Sequence, residues 1–233
     1  MFQKHLGYHS RQSGGKGQAQ WGMVNAHPHG GQPALRRGAA SADARVAVVL
    51  VHGRGDSASG ILGLSSEFDQ DDVAWIAPQA AGHIWYPYSF LAPTQQNEPG
   101  LSSALRVLGE IVQTLAAEGI PAERIVLMGF SQGACLAQEF AARNARRYHA
   151  IVGLSGGLIG PPGTPRSYSG TFDGTPVFLG CSDIDPHIPE ERVRESADVF
   201  ARMSAAVDAR IYPGMGHTVN EDEIEAVDAL LRP

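Results

Sequence analysis

At 233 residues, 43% of them hydrophobic and 18% charged, the chain has the length and composition of one ordinary globular domain, not of a disordered or collagenous polymer. Its 18 Lys and Arg against 24 Asp and Glu leave a net charge of -6, which excludes a basic footprint for nucleic acid or for an anionic membrane surface. Two cysteines, Cys135 and Cys181, are too few for a disulfide framework, and no apolar stretch approaches the ~18 residues of a membrane span, so a cytoplasmic protein with no membrane partner is expected.

Residues 1–30 are rich in Gly, Gln, Ser and His and carry no apolar period, so they read as a disordered or loosely attached extension ahead of a domain spanning 31–233. The pairs His5/His9 and His27/His29 lie in that polar stretch without a Cys or carboxylate cluster, and no metal is expected there. From residue 31 short apolar runs alternate with longer segments of helical period, the pattern of βαβ units. Strands are predicted at 32–37, 45–51, 73–77, 124–128, 150–154, 176–179 and 209–212. Most are almost wholly apolar, as strands covered on both faces must be. Helices are predicted at 58–69, 101–118, 132–144, 190–204 and 221–231. The second of these carries Leu101, Leu105, Leu108, Val112 and Leu115 on one face and is stopped by Gly119 and Pro121. The last is opened by Asn220, with acidic residues in its first turn, where the helix dipole favours them. The expected fold is an α/β sandwich: a mostly parallel sheet of about seven strands with helices on both faces. Two segments, 79–98 and 156–175, interrupt the alternation and read as long loops, which in a compact domain are commonly functional.

Gly129-Phe130-Ser131-Gln132-Gly133 is a G-x-S-x-G motif placed between a predicted strand and a predicted helix. A nucleophilic serine needs such a sharp turn so that its hydroxyl projects clear of the sheet, and the small residues two before and two after relieve the crowding. A serine nucleophile also needs a base and an orienting carboxylate, which in this arrangement follow in the order Ser, Asp or Glu, His. After strand 176–179 come Asp183 and Asp185, and after strand 209–212 comes His217 in a Gly-rich loop. All three positions follow predicted strands and converge on the sheet's carboxyl edge. His187 would have to act from the acid's own turn, His52 suits a backbone hydrogen bond in a His-Gly turn, and His83 and His149 read as surface or loop residues. Asp183 competes with Asp185 for the acid or braces its turn. For an oxyanion, one amide would come from Gln132 and a second from the loop Val51-His52-Gly53-Arg54-Gly55-Asp56, with Arg54 the expected donor. That loop lacks the spacing of a phosphate cradle. Trp85, Tyr86, Tyr88 and Phe90 either form an apolar wall of the substrate site or anchor a long loop to the body.

Over about residues 45–231 the chain resembles the phospholipase/carboxylesterase family of α/β-hydrolases, which includes bacterial carboxylesterases and acyl-protein thioesterases. The resemblance rests on His-Gly-Arg-Gly-Asp, Arg-Ile-Val-Leu-Met-Gly-Phe-Ser-Gln-Gly-Ala, Gly-Leu-Ser-Gly-Gly, Asp-Ile-Asp-Pro-His-Ile-Pro and Tyr-Pro-Gly-Met-Gly-His, in that order. It implies an α/β-hydrolase fold without a cap domain and a triad of Ser131, Asp185 and His217, with Arg54 and Gln132 as oxyanion donors. It also implies hydrolysis of small to medium carboxylic esters or thioesters through an acyl-enzyme, with no cofactor. Thioesterases of the family typically carry Leu where this chain has Arg54, and residues 79–98 depart from their substrate loop. Lactones, polyesters and carbamates would use the same residues, as would perhydrolysis, and a non-catalytic binding protein is the alternative of another class. A homodimer is compatible with the resemblance, but no isolated apolar stripe argues for one.

Overall fold

The computed structural model describes residues 26–232. Among the described residues, seven strands form one sheet in the order β1-β3-β2-β4-β5-β6-β7, from β1 (Ala34–Gly38), β2 (Val46–Val51), β3 (Val73–Pro78), β4 (Ile125–Phe130), β5 (Ala150–Leu154), β6 (Pro176–Ser182) and β7 (Ala206–Tyr212). All neighbours are parallel except β1, which pairs antiparallel with β3, Ala34 facing Pro78. The helices are α1 (Ala58–Ile61), α2 (Gly100–Ala117), α3 (Gln132–Arg143), α4 (Glu190–Arg202) and α5 (Glu221–Leu231).

Strand β2 shows why this is a three-layer α/β architecture. All six of its residues are buried, and its side chains alternate between two cores: Ala47, Val49 and Val51 join one, Val46, Val48 and Leu50 the other. The first core is closed by apolar residues of α2, α3 and α4, the second by α1, the turn after it and α5. Burying each Val or Leu stabilises the fold by about 1.5–3 kcal/mol relative to leaving it exposed. β1 is exposed along its length, and its Arg36 makes a two-point pair with Glu118 beyond α2, a charged edge that discourages pairing with another chain. Among the described residues no helix is long and apolar enough to cross a membrane.

Three expectations need correction. The helix expected over 58–69 is α-helical only to Ile61 and tightens into a 3-10 stretch over Leu62–Glu67, where Gly63, Ser65 and Ser66 offer weak helical propensity. Strands β6 and β7 are longer than expected: β6 continues through Gly180, Cys181 and Ser182, which pair with Arg210, Ile211 and Tyr212, and β7 already begins at Ala206, with Ala206, Val207 and Asp208 pairing with Pro176, Val177 and Phe178, although Gly and Asp carry little strand preference. The extension expected over 1–30 does not run to residue 30. Residues 1–25, with His5 and His9, lie outside the described residues, but His29 is 1% exposed and packed on the domain.

Candidate active site

The turn after β4 fixes Ser131. Its backbone takes φ 55° and ψ -120°, a strained conformation for a residue with a side chain, costing about 1–3 kcal/mol. The turn is held by Ser131 N–H donating to the Leu154 carbonyl at 2.9 Å and by the Cys135 amide donating to the Ser131 carbonyl at 3.0 Å, so the hydroxyl stands proud of the sheet. Gly129 and Gly133 are required by space: a Cβ on either would overlap backbone atoms, those of Gly133 and Ala134 in one case and the Val51 and His52 carbonyls in the other. α3 begins at Gln132, which places the unpaired amides of a helix N-terminus beside the hydroxyl.

The other two predicted triad positions meet Ser131 at the carboxyl ends of β4, β6 and β7. His217 Nε2 lies 2.9 Å from Ser131 Oγ, and His217 Nδ1 lies 2.7 Å from Asp185 Oδ2. The second oxygen of Asp185 accepts the amides of His187 at 2.8 Å and Ile188 at 3.1 Å. Burial pushes the Asp185 carboxyl up, but His217 and those two amides outweigh it and hold the group below its ordinary value of 3.8. Asp185 is therefore an anion whose open lone pairs face one imidazole edge. Such an arrangement fixes a tautomer with hydrogen on Nδ1 and leaves Nε2 able to accept a proton from the serine.

Neighbouring groups fix the imidazole ring. Phe130 packs at 5.0 Å between centroids, and His187 meets it edge-on at 4.9 Å. Asp183 does not reach His217; its Oδ1 accepts the Gly214 amide at 2.7 Å and so braces the imidazole loop. Ser182, which the motif reading passed over, accepts the Gly216 amide at 3.0 Å and the Ile184 amide at 3.2 Å, joining the acid's loop to the imidazole's loop. Only its position directly before the two carboxylates hinted at that role. His52 lies away from the hydroxyl and bonds loop backbone, while His83 is exposed.

A cavity of about 660 Å³ opens over Ser131 and is walled by Arg54, Tyr86, Tyr88, Phe90, His187 and Ile188, among others. It lies within the size range of small-molecule sites. The four predicted wall aromatics separate here. Tyr86, Tyr88 and Phe90 line the cavity, with Tyr88 54% exposed, whereas Trp85 is 0% exposed and does not reach it. Trp85 Nε1 instead donates to the His52 carbonyl at 2.9 Å, which makes it an anchor of the loop. Sequence gives the aromatic cluster but not which ring turns inward.

Arg54 and Gln132, the residues whose amides were expected to face an oxyanion, also hold this wall with their side chains. The Arg54 guanidinium donates to the carbonyls of Tyr86 at 2.9 Å, Pro87 at 3.0 Å and Tyr88 at 2.7 Å. The Gln132 amide accepts from Trp85 N–H and donates to the Tyr86 carbonyl, both at 2.9 Å. Gly53, between His52 and Arg54, packs against Ser131, where even a Cβ would touch the serine's own. Cys135 lines the cavity, but burial pushes its thiol up to about 12, so it is a small hydrophobe and not a second nucleophile. Among the described residues no three His, Cys, Asp or Glu side chains form a group able to hold a metal ion.

The family model described as phospholipase/carboxylesterase matches residues 38–232. A crystal structure of a phospholipase/carboxylesterase from Dyadobacter fermentans superposes with a TM-score of 0.83 at 46% identity, covering 86% of this chain and 96% of that one. Acyl-protein thioesterase 1 of Debaryomyces hansenii is 26% identical over 214 residues, 82% of this chain and 92% of that protein. Its counterpart in Saccharomyces cerevisiae is 27% identical over 220 residues, 85% and 96% of the two chains.

Proposed function

The chain belongs to the phospholipase/carboxylesterase family and is a hydrolase of the esterase and thioesterase type, and from that premise we propose that it cleaves carboxylic esters of small to medium acyl groups, with Ser131, His217 and Asp185 as its catalytic triad. The observation that carries the reading is the continuous contact from Ser131 Oγ through the His217 ring to Asp185.

In this mechanism His217 Nε2 takes the Ser131 proton as Oγ attacks the acyl carbonyl, and Asp185 stabilises the imidazolium that forms. The oxyanion meets the amides of Gln132 and Arg54, each such donor being worth about 2.7–4 kcal/mol. His217 then returns the proton to the leaving alkoxide, and the acyl group stays on Ser131 until water, deprotonated by the same imidazole, releases it as the acid. Tyr86, Tyr88 and Phe90 form the apolar surface for the acyl chain. Thioesters enter by the same route, a reading supported by the thioesterase names of the fungal relatives.

A panel of p-nitrophenyl esters from acetyl to dodecanoyl, with matched thioesters, tests the proposal. The expected result is the highest kcat/KM at acyl chains shorter than about ten carbons, with all turnover lost in Ser131→Ala. A clear preference for longer chains would overturn the substrate class, and near wild-type turnover by Ser131→Ala would overturn the nucleophile.

A further inference from the structure

The segment ahead of β1 is tied to the loop that carries the cavity wall. Ser103 of α2, 1% exposed, accepts the His29 amide at 3.0 Å, and its hydroxyl lies 2.7 Å from His27 Nδ1. This sets the buried His29 ring between two points of one loop. The Ala81 amide donates to Nδ1 at 3.1 Å, and Nε2 lies 2.8 Å from the Trp85 carbonyl. An imidazole that accepts at Nδ1 and faces a carbonyl at Nε2 is neutral, with its hydrogen on Nε2. A second proton would set N–H against N–H at Ala81. Burial, with His27 nearby, pushes His29 below its ordinary value in keeping with that state.

His52 repeats the device one residue earlier with the tautomer reversed. Its Nε2 accepts the Ala80 amide at 3.1 Å, and its Nδ1 lies 2.7 Å from the Gly53 carbonyl. Trp85 packs against both rings, at 5.3 Å from His29 and 5.0 Å from His52. The root of the wall is thus held from one side by two histidines, while Gln132 grips it at Trp85 and Tyr86 and Arg54 holds the run from Tyr86 to Tyr88.

We propose that His29, delivered by the N-terminal segment, is a positioning residue for the acyl-binding wall: a clasp that acts through Trp85 on Tyr86 and Tyr88 and sets their distance from Ser131. The proposal rests on the reading of the cavity as the acyl site. Without the clasp the wall loses two of the hydrogen bonds at its root, and a substrate whose chain reaches the wall is bound less well, whereas one that ends short of it is little affected.

The test compares full-length wild type, His29→Ala and His29→Gln with p-nitrophenyl acetate and hexanoate, and follows amide hydrogen exchange over residues 80–88. His29→Ala is expected to lower the hexanoate-to-acetate ratio of kcat/KM about five- to tenfold, chiefly through a higher KM for hexanoate, and to speed exchange over 80–88. His29→Gln, which keeps a donor toward the Trp85 carbonyl, is expected to recover much of both effects. Should the alanine variant fail to fold, His29→Phe, which fills the site but offers neither nitrogen to Ala81 and Trp85, carries the test with the same expected losses. An unchanged ratio, an equal loss on both esters, or unchanged exchange would overturn the clasp. Should the wild type hydrolyse neither ester, the reading of the site fails, and the exchange result alone decides the clasp.

Discussion

Glu223 gives a stability prediction with a defined pH window. It occupies the third position of α5 in a capping box: its amide donates to Asn220 Oδ1 at 2.8 Å, and its Oε2 accepts the Asn220 amide at 2.9 Å. The side chain is 0% exposed, and Oε1 has no hydrogen-bond partner among the described residues. Burial, opposed in part by the Asn220 amide, pushes the carboxyl from its ordinary 4.5 up to about 7. The folded chain therefore binds this proton more tightly than the unfolded chain. Its contribution to stability is fully present below pH 4.5 and is lost as pH rises through 7. At about 1.4 kcal/mol per pH unit the full span is worth about 3 kcal/mol, of which about 2 kcal/mol falls between pH 5.5 and 8.5. Glu223→Gln imitates the protonated form, since its amide oxygen still accepts the Asn220 amide. Urea unfolding of both proteins across that range should show the variant gaining about 2 kcal/mol on the wild type toward alkaline pH. A stability difference that does not change with pH would refute the reasoning.

Asp185→Asn should lower kcat by about 10³–10⁴, measured on a short ester, because an amide neither fixes the His217 tautomer nor stabilises its charge. Since Asp185 is held below 3.8 when folded, its stabilising contribution is present above that value and is lost as pH falls through the folded value. The Asn variant should accordingly show less loss of stability than wild type below about pH 4. Trp85→Ala should cost about 3–5 kcal/mol and lower the Tm by about 6–20 °C in calorimetry, as a fully buried indole is removed. Tyr88→Ala, at a half-exposed ring, should change stability by no more than about 0.5 kcal/mol while raising KM for esters long enough to reach the wall.

The sheet was legible because its inner strands are nearly unbroken apolar runs, and the serine turn because two glycines, a strand and a helix fall in fixed order around Ser131. The pairing partners of polar side chains were not legible. Which carboxylate meets His217 depends on how the chain turns over two residues, and motif context alone favoured Asp185. Trp85 stands beside the cavity aromatics in sequence, and neighbouring rings in a loop carry no period to show which one faces inward. His29 lay in a stretch whose composition resembles disorder, and its partners at Ala81, Trp85 and Ser103 stand 52 to 74 residues away, so no local pattern marks it. For the same reason the side chains of Arg54 and Gln132 gave no sign of gripping the 85–88 backbone: each grip depends on a loop 32 to 47 residues away.

Covalent labelling by a small fluorophosphonate, followed by peptide mass spectrometry, tests most directly whether the hydroxyl beside His217 is the activated nucleophile. One adduct per chain, located on Ser131 and formed at least about 100-fold more slowly in His217→Ala, is the predicted result. Labelling at another residue, or at the same rate without the imidazole, would contradict it.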